Sequence, residues 1–557
     1  MKLLTTGTLV ALSTTMMFAM ISTSAAQTEK LRDDNPNNWP LYNRTFDGTR
    51  YSPLKEIAKE NVKNLHVAWV HQPGAITQGL LETPLVIDGV VYSIASQDRV
   101  FALDAATGEE IWHYYPKLDD VANEIFFTPY SRGVAVAHGR VYIGTVDGRA
   151  IALDQKTGKQ LWETKLTEPR KCAGCNFTSP PAVAGDILTY GPTGGDLADQ
   201  GKIFGVEAAT GKLVWTFETL KDDSKSWGGD SRRSGGGGAW MPGAYDPKTD
   251  TVLYGTGNPA PDYDWGGARP GDNLYTSGVV ALDPKTGKLK WHFQEVPHDP
   301  WDFDGAAGEF LFVQHDGKRS VVHSNKGGYV YVYDAESGAL QNAWPLAENI
   351  TWIDGVDPKT GAFKNLKLPK FGEKSYACPW LVGAKSWNSG SYSPDTGLWY
   401  QNVMEACNVV QIEKGPPESV PLSALYYGGT ATAADPPNGK AHGHLDARDP
   451  LTGERKWKID TGMPMMGSLL TTASGLLFAG DLKGYAHAYD AKTGEELWKF
   501  NLGSGTRGGP VTYAVNGKQY IIFPSGLGSQ ALGFVAQIWP ELNDYPAGAA
   551  LVAFTVN

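Results

Sequence analysis

The sequence has little positive charge, few cysteines and no long apolar run outside its first residues. Its 49 Lys and Arg are outnumbered by 60 Asp and Glu, which gives a formal net charge of -11. Proteins that bind nucleic acids or anionic membranes need clustered basic side chains, so this balance argues against both classes. No segment after the N-terminus approaches the length of a membrane-spanning helix, and we expect no membrane span.

The N-terminus has the features of an export signal. Met1 and Lys2 give a short positive start, an apolar run continues through Ile21, and Ser24-Ala25-Ala26 offers small residues at the positions that a signal peptidase reads. We therefore expect residues 1–26 to be a signal peptide that is cleaved before Gln27. The mature protein is predicted to be soluble and periplasmic.

The cysteines number four, an even count that suits an oxidising compartment. Cys172 and Cys175 are separated by two residues and followed by Asn176 rather than His, so they are not an attachment site for a c-type haem. A local disulfide or two structural thiols is the favoured interpretation of this pair, and a redox-active or metal-binding pair is the alternative. No cysteine follows the signal segment, which excludes a lipoprotein anchor.

Glycine, proline and tryptophan are abundant, with 66 Gly, 35 Pro and 18 Trp in 557 residues. Gly and Pro mark turns, and a chain with this many turns and aromatic residues is typical of an all-β fold made of many short strands.

One phrase recurs along the chain: a small residue, an apolar residue, Asp, two variable residues, Thr-Gly, three variable residues and Trp. Copies begin at residues 102, 152, 205, 281, 447 and 488, with a looser copy at 332 and degenerate ones at 245 and 392. The phrase predicts a strand, a tight turn closed by Asp and Gly, and a second strand beginning near the Trp. Alternating apolar runs before several copies, such as residues 85–92, add two more strands.

The spacing of the repeats predicts the architecture. Four-stranded units that recur every 40–50 residues or so are the sequence signature of a β-propeller. Counting Trp69 as an opening partial unit, we expect about eight blades carrying Trp-containing docking repeats, in a single domain over residues 27–557. The segment from Gly508 onward should close the ring against an N-terminal strand.

A propeller fold does not by itself indicate a function. The function must be argued from the residues that could catalyse a reaction or bind a ligand. Asp302 and Asp304 alternate in an extended segment and would face the same side, close enough to share a cation, although such a pair also suits a solvated turn. Asn258, in Gly257-Asn258-Pro259, offers an amide oxygen to a hard cation.

Two glycine-rich segments add to this set. Gly194-Gly195-Asp196 is another loop with a carboxylate. Residues 234–238 are Ser followed by four Gly, which permits close backbone approach to a flat group, and Trp240 could form the floor beneath it. No Gly-Lys-Ser/Thr follows, so this is not a phosphate loop.

Taken together, the blade phrase, residues 258–261, residues 269–273 and Trp301-Asp302 resemble the PQQ-dependent (quinoprotein) alcohol dehydrogenases, of the methanol/ethanol dehydrogenase type without a haem domain. The resemblance covers essentially the whole mature chain, with the motifs in the right order. It implies an eight-bladed propeller with pyrroloquinoline quinone (PQQ) and one Ca²⁺ or lanthanide ion on its axis. The implied reaction oxidises an alcohol to the carbonyl with PQQ as the hydride acceptor.

The resemblance also assigns roles to residues. Asp302 would be the general base, and Lys326 a catalytic cation beside the quinone oxygens. The implied metal ligands are Asp196, Asn258, Asp302 and Asp304. The implied PQQ-binding residues are Arg132, Thr178, Thr193, Gly194, Gly195, Trp240, Lys326 and Asn388. Cys378 and Cys407 match the family's inter-strand disulfide.

Several positions depart from the family pattern. The usual adjacent-cysteine pair is Phe126-Phe127, and the usual Glu metal ligand is the shorter Asp196. A family Trp near the cofactor edge corresponds to Met466, and a Trp-bearing lid corresponds to residues 528–530. The loss of two bulky aromatics predicts a wider, more polar mouth and an alcohol larger than methanol, such as a polyol, a sugar or a secondary alcohol. Asp304 is characteristic of lanthanide-using members, whereas Asp196 leaves calcium equally open.

Three other functions are compatible with parts of this sequence. A non-catalytic propeller that scaffolds outer-membrane protein assembly would share the blade phrase, but it would have no use for Asn258, Asp302 and Trp240 as a set. A metal-dependent hydrolase built on residues 442–446 and a PQQ-binding ring without activity are further alternatives. For a dehydrogenase without haem, electrons must pass to an external acceptor, for which a soluble cytochrome c is expected. A homodimer is left open.

Overall fold

Eight sheets, each built on four antiparallel strands, follow one another along the described chain, and one of them has a parallel fifth strand. The computed structural model describes residues 35–74, 77–127, 129–172, 174–196, 200–413 and 424–556. The expected signal peptide over residues 1–26 lies outside these residues. Most neighbouring strands are consecutive in sequence, as in a series of hairpins. This confirms the predicted all-β propeller, whose blades we number 1 to 8 along the chain.

The strands of the first four blades are short and closely spaced. Blade 1 has Leu85–Ile87, Val90–Ala95, Arg99–Asp104 and Glu110–Tyr114; blade 2 has Ala135–Ala137, Arg140–Gly144, Arg149–Asp154 and Gln160–Lys165; blade 3 has Ala182–Ala184, Ile187–Tyr190, Lys202–Glu207 and Leu213–Glu218; blade 4 has Ala244–Asp246, Thr251–Thr256, Gly278–Leu282 and Leu289–Gln294.

The remaining blades include longer strands. Blade 5 has Phe310–His315, Lys318–Ser324, Tyr329–Asp334 and Leu340–Pro345; blade 6 has Ser391–Ser393, Leu398–Glu405, His442–Arg448 and Arg455–Gly462; blade 7 has Leu470–Thr472, Leu476–Gly480, Tyr485–Asp490 and Glu496–Asn501, with Tyr51–Ser52 as a parallel fifth strand; blade 8 has Val511–Val515, Lys518–Ser525, Ala550–Thr555 and His66–His71.

Blade 8 closes the ring with strands from both ends of the chain. His66–His71 pairs antiparallel with Ala550–Thr555, with Trp69 opposite Ala553. The expected closure of the C-terminal segment against an N-terminal strand is therefore present.

Consecutive blades are joined by a tryptophan of one blade and a glycine of the next. A Cβ added to Gly158 would lie only 2.4 Å from Cε3 of Trp112, and Gly158 has a φ of +68°. The indole N–H of Trp112 also donates to the carbonyl oxygen of Gln155 at 3.2 Å. Among the described residues seven of the eight junctions have this contact, namely Trp69–Gly108, Trp112–Gly158, Trp162–Gly211, Trp215–Gly287, Trp291–Gly338, Trp344–Gly453 and Trp457–Gly494. The recurring Trp and Gly are thus the two halves of one docking contact.

The junction between blades 7 and 8 is different. Trp498 meets the edge of Phe554, with ring centroids 5.3 Å apart. Because the last blade is built partly from the N-terminal strand, it has no Thr-Gly turn to receive an indole.

Two small sheets and several short helices lie outside the blades. One sheet has Gly355–Val356 and Phe363–Lys364, and the other has Lys374–Ala377, Cys407–Ile412 and Gly429–Ala434. The α-helices are Ser224–Trp227 and Ala531–Val535; the 3₁₀ helices are Val62–Asn64, Ser96–Asp98, Asp120–Asn123, Ser231–Ser234, Gly305–Ala307 and Pro540–Asp544. In the described part of the chain, none of the helices has the length and apolar character needed to span a membrane.

Replacing a docking glycine should lower the stability of the ring. Gly158→Ala would force an L residue into positive φ, at about 1–2 kcal/mol, and would press its Cβ into the Trp112 ring, at about 1–3 kcal/mol more. Gly517→Ala is the matched control, because Gly517 has a φ of +76° and no atom within 4 Å of its added Cβ. Urea unfolding of both variants should show a clearly larger loss for Gly158→Ala. Equal losses would mean that the indole contact contributes little.

Candidate active site

Loops from blades around the ring meet at one open cavity, whose empty space together with the solvent at its mouth is about 800 Å³. Its walls come from the connections between and within blades 1 to 6 and from blade 8, which puts the cavity on the propeller axis. Ten of the residues selected from the sequence line it: Arg132, Thr178, Thr193, Gly194, Gly195, Asp196, Trp240, Asp302, Asp304 and Lys326.

Buried positive charge lies among aromatic rings at one wall. Cζ of Arg132 is 5.0 Å from the ring centroid of Trp240 and 4.9 Å from that of Trp387, and its Nη1 donates to Oγ1 of Thr178 at 2.6 Å. Arg507 is fully buried, with Cζ 5.3 Å from the centroid of Trp387. Neither guanidinium has a carboxylate partner among the described residues, and both have N–H groups without an acceptor. Burial lowers the pKa of Arg507 to about 9. This wall therefore favours an anionic ligand.

Another part of the wall is acidic. Carboxylate oxygens of Asp196, Asp262 and Asp302 all lie within 4.8 Å of one another. Nζ of Lys326 is 2.7 Å from Oδ1 of Asp302 and 2.8 Å from Oδ2 of Asp304. One ammonium group thus faces four carboxylates, which leaves negative charge uncompensated.

The pKa shifts have the same physical cause. Burial raises the pKa of Asp196 to about 7 and raises that of Asp302 well above its usual range. Burial alone would lower the pKa of Lys326, but the carboxylates of Asp302, Asp304 and Asp196 raise it. A cluster that disfavours carboxylate ionisation in this way is one that a bound cation would stabilise.

Three buried oxygens at this wall have no hydrogen-bond partner: Oδ1 of Asp196, Oδ1 of Asn258 and Oδ2 of Asp262. Carboxylate and amide oxygens are the ligands of hard cations such as Ca²⁺. The donor set therefore fits the cation that the resemblance implies, and Asn258 lies behind the cavity wall with its amide oxygen available.

Two glycines allow the acidic loops to approach each other. A Cβ on Gly195 would lie 2.3 Å from Oδ1 of Asn258, and a Cβ on Gly257 would lie 2.8 Å from Oδ1 of Asp304. Any larger residue at either position would separate the loops, so glycine is needed here for space.

A buried arginine fixes the two loops against one another. Arg269 donates from Nε to the carbonyl oxygen of Pro261 at 3.0 Å and from Nη2 to that of Asp262 at 3.2 Å. The same guanidinium donates to the carbonyl oxygen of Asp299 at 2.5 Å. In the sequence Arg269 stands out only as part of the motif at residues 269–273. In the structure it positions the segments that contain Asp262 and Asp299.

Asp299 holds the backbone on both sides of Asp302. Its carboxylate accepts the N–H of Trp301 at 3.0 Å and the N–H of Phe303 at 2.8 Å. Asp302 itself has a φ of +64°, an unusual conformation for a residue other than glycine. The carboxylate of Asp302 is therefore held in place by its neighbours.

Some sequence-selected residues do not reach the cavity. Asn388 is buried with an unpartnered Nδ2, but its carbonyl oxygen accepts from Lys385 and its side chain lines a separate small cavity. Met466 lies against Arg507, with its Sδ 3.1 Å from Nη1, and does not line the axial cavity. Met466 is instead buried, outside the cavity, in a hydrophobic cluster.

The residues at the mouth mix apolar and polar groups. Phe127 lines the cavity, with its ring centroid 5.0 Å from that of Phe126. Ser529 and Gln530 also line the cavity, and Nε2 of Gln530 donates to the carbonyl oxygen of Phe126 at 2.5 Å. The lid segment is thus tied directly to the aromatic pair.

The cysteines form two disulfides, Cys172–Cys175 and Cys378–Cys407. The first agrees with the favoured interpretation of a local disulfide. The second joins the residue after Lys374–Ala377 to the start of Cys407–Ile412, which are neighbouring strands of one small sheet.

The histidine cluster has a structural role. His444 is buried between Asp446, at 2.7 Å from its Nδ1, and Glu405, at 3.4 Å from its Nε2. Both ring nitrogens are therefore engaged, which removes the basis for a hydrolase metal site over residues 442–446.

Two residues at the site were not selected from the sequence. Asp262 follows Asn258 by four residues, and this proximity to a candidate ligand was the only signal available. Arg507 follows the last copy of the blade phrase and has no motif around it. Its significance is its unpaired charge beside Trp387, which only the folded structure reveals.

Comparisons with known proteins give the chain's relatives. A family model described as the glucose/ethanol/alcohol dehydrogenase β-propeller domain, with PQQ, matches residues 39–351 and 429–521. The quinoprotein alcohol dehydrogenase PedH of Pseudomonas putida is 33% identical over 97% of this chain and 95% of its own. The quinoprotein ethanol dehydrogenase of Pseudomonas aeruginosa is 34% identical over 86% of this chain and 84% of its own.

Solved structures agree with these relatives. A europium-containing methanol dehydrogenase superposes with a TM-score of 0.88 at 29% identity, covering 95% of this chain and all of that one. A quinohemoprotein alcohol dehydrogenase from Comamonas testosteroni superposes with a TM-score of 0.85 at 29% identity, covering 96% of this chain and 84% of that one.

A buried carboxyl group lies on the segment that precedes blade 1. Glu82 is fully buried and accepts from Oγ of Ser93 at 2.5 Å and from the N–H of Ile94 at 2.7 Å. Burial raises its pKa from 4.5 to about 8 in spite of these two hydrogen bonds. Glu82 therefore holds its proton in the folded state at pH values where the unfolded chain has released it.

This proton makes stability depend on pH. The folded state binds more protons than the unfolded state between pH 4.5 and about 8, so the free energy of unfolding should fall as pH rises through that range. Glu82→Gln removes the titration and should reduce this loss by an amount on the order of a few kcal/mol. Urea unfolding at about pH 5 and about pH 8 measures the slope, with exposed Glu60→Gln as the control. An unchanged slope in Glu82→Gln would contradict the raised pKa.

Proposed function

This chain belongs to the PQQ-dependent quinoprotein alcohol dehydrogenases, and from that premise we propose that it oxidises an alcohol larger than methanol and passes the electrons to a separate acceptor. It is an oxidoreductase that uses PQQ with Ca²⁺ or a lanthanide ion. The observation that carries the proposal is the pairing of Asp302 with Lys326 at the wall of the axial cavity, next to a cluster with three unpartnered buried oxygens.

The cavity has groups suited to both parts of the cofactor. PQQ is a flat, polyanionic quinone, and we assign its carboxylates to the wall that contains Arg132 and Thr178. Trp240 offers an indole face to its ring system. We assign the cation to oxygens of Asp196, Asn258, Asp302 and Asp304. Thr193, Gly194 and Gly195 border the same space, and Asn388 acts from behind the wall.

When bound, PQQ supplies the hydride acceptor and the cation polarises its quinone carbonyl as a Lewis acid. The chain supplies the base. Asp302 takes the hydroxyl proton of the alcohol on a carboxylate oxygen, and the C–H hydrogen then leaves with its bonding electrons to give the carbonyl product. The ammonium group of Lys326 and a bound cation would both favour the ionised carboxylate of Asp302, the form that can accept this proton.

Lys326 acts through its position. Its ammonium group lies 2.7 Å from Asp302 and keeps a positive charge next to the cavity, where it can stabilise negative charge on the quinone oxygens. Asp299 fixes the Asp302 backbone through the N–H groups on either side. The base therefore needs little reorganisation when the alcohol arrives.

The mouth supports a larger substrate. Ser529 and Gln530 lie in the lid segment, where the family pattern has a tryptophan. Met466 does not line the cavity. Polar lid groups beside Leu381, Val382 and Phe534 suit an alcohol with both apolar and hydrogen-bonding parts.

The disulfides bear on the acceptor and on the compartment that we propose. All four are in disulfides, so none is available to attach a haem, and we assign the electrons to a soluble cytochrome c. Disulfides form and persist in oxidising compartments, which supports the periplasm.

Asp302→Asn should remove the base and leave the cofactor bound. We expect kcat to fall by roughly 10²–10⁴-fold, with PQQ bound at the wild-type stoichiometry by absorbance. Dye-linked alcohol oxidation with added PQQ and cation measures the rate. Asp460→Asn, on the exposed face of blade 6, is the control. A loss of only a few-fold in Asp302→Asn would assign the base to another group.

Refilling the lid should shift the specificity toward small alcohols. In Gln530→Trp the indole would occupy the mouth and reduce kcat/KM for a bulky secondary alcohol relative to methanol by roughly 10–200-fold, the usual range for a steric change in a binding pocket. Gln537→Trp, at an exposed position of the same segment, is the matched control. If wild-type enzyme preferred methanol over a polyol and a secondary alcohol, the proposed substrate class would be wrong.

A further inference from the structure

Asp262 is a buried acid at the cation site to which the resemblance assigns no role. We propose that Asp262 is an additional direct ligand of the cation and that its charge makes the site selective for a trivalent ion. The inference rests on the proposed function, because it concerns the same cation.

The geometry directs Asp262 into the acidic cluster. Its side chain is fully buried, and its carboxylate lies within 4.8 Å of those of Asp196 and Asp302. Oδ1 accepts from Nδ2 of Asn258 at 2.8 Å, whereas Oδ2 has no partner. A buried carboxylate oxygen without a donor is costly unless a ligand satisfies it.

The same contact orients a second ligand. Because Nδ2 of Asn258 donates to Asp262, the amide oxygen of Asn258 is turned to the other side, where it too has no partner. Asp262 therefore contributes one oxygen and fixes the direction of another.

The backbone around Asp262 is firmly held. Its carbonyl oxygen accepts from Nη2 of Arg269 at 3.2 Å, and its N–H donates to the carbonyl oxygen of Tyr426 at 3.3 Å. The next residue, Tyr263, donates its N–H to the carbonyl oxygen of Tyr427 at 2.8 Å. A rigid backbone is what a metal ligand needs to hold its geometry.

The position argues against a contact with the alcohol. Asp196, Asp302 and Asp304 line the axial cavity, but Asp262 does not. Its free oxygen therefore faces the other carboxylates rather than the space open to substrate.

The charge count then distinguishes the cations. Asp196, Asp262, Asp302 and Asp304 together carry four negative charges when ionised, and Lys326 returns one positive charge. A trivalent ion balances the remainder, whereas a divalent ion leaves one buried negative charge uncompensated. Asp262 also adds an oxygen beside Asp196, whose side chain is one methylene shorter than the glutamate found in relatives of this type.

The test measures metal binding directly. Chelator-stripped protein is titrated with Eu³⁺ by luminescence and with Ca²⁺ by calorimetry, and the luminescence decays in H₂O and D₂O count the water molecules on europium. Asp262→Asn should weaken Eu³⁺ binding by at least the roughly 10–100-fold that loss of an outer partner of a metal costs. It should also admit water to the europium and weaken Ca²⁺ binding much less.

Controls separate the outcomes. Asp272→Asn removes the same charge from an exposed position of the neighbouring loop and should bind Eu³⁺ like wild type. Asp262→Ser, a smaller uncharged variant, replaces Asp262→Asn if that protein does not fold, as judged by thermal unfolding. Wild-type Eu³⁺ affinity and hydration in the position-262 variant would overturn the inference alone. A wild-type protein that binds neither PQQ nor either cation would overturn the proposed function as well.

Discussion

Each blade is held to the next by an indole that lies against a turn without a side chain, and the position of every loop on the axis depends on that contact. In blade 2 the contact needs Gly158 both for its positive φ and for the space that Trp112 occupies. Because the contact repeats at seven junctions, small errors in blade orientation are not free to accumulate around the ring. The axial loops can therefore meet with the accuracy that a metal and a flat cofactor require.

The site held on these loops contains buried charges of both signs that the protein does not neutralise. Guanidinium groups without carboxylate partners lie at one wall, and carboxylates with a single ammonium lie at another. The described residues around each cluster do not neutralise its charge, so bound ligands must supply the compensating charges. A tricarboxylate quinone and a metal ion supply the missing charges of both signs, and each clamps loops that would otherwise repel. Arg269 is the exception, since backbone carbonyl oxygens from both acidic segments satisfy it.

Much of the fold could be predicted because the docking contact is written in the sequence at a constant spacing. Trp112 and Gly158 each recur with their neighbours, and eight blades follow from counting. The outer sheet formed by Lys374–Ala377, Cys407–Ile412 and Gly429–Ala434 has no such repeat and was not anticipated.

The candidate site was accessible from the sequence only through motifs. Asp302, Lys326 and Trp240 belong to recognisable segments, and the structure brings them to one cavity. Asp262 and Arg507 acquire their meaning from atoms distant in sequence, such as Asp196 and Trp387, and no local pattern could identify them. Asn388 and Met466 were selected from the sequence but do not line the cavity. A match to a motif does not determine the direction in which a side chain faces.

The pairing of His66–His71 with Ala550–Thr555 also constrains when the ring can close during folding. His66–His71 is synthesised well before Ala550–Thr555, the strand to which it pairs. The ring stays open until these two strands have paired, and long-range closure of this kind is slow. An open ring has no finished axis on which to enclose a cofactor. The complete axial cavity therefore exists only after two strands nearly 500 residues apart in the chain have paired.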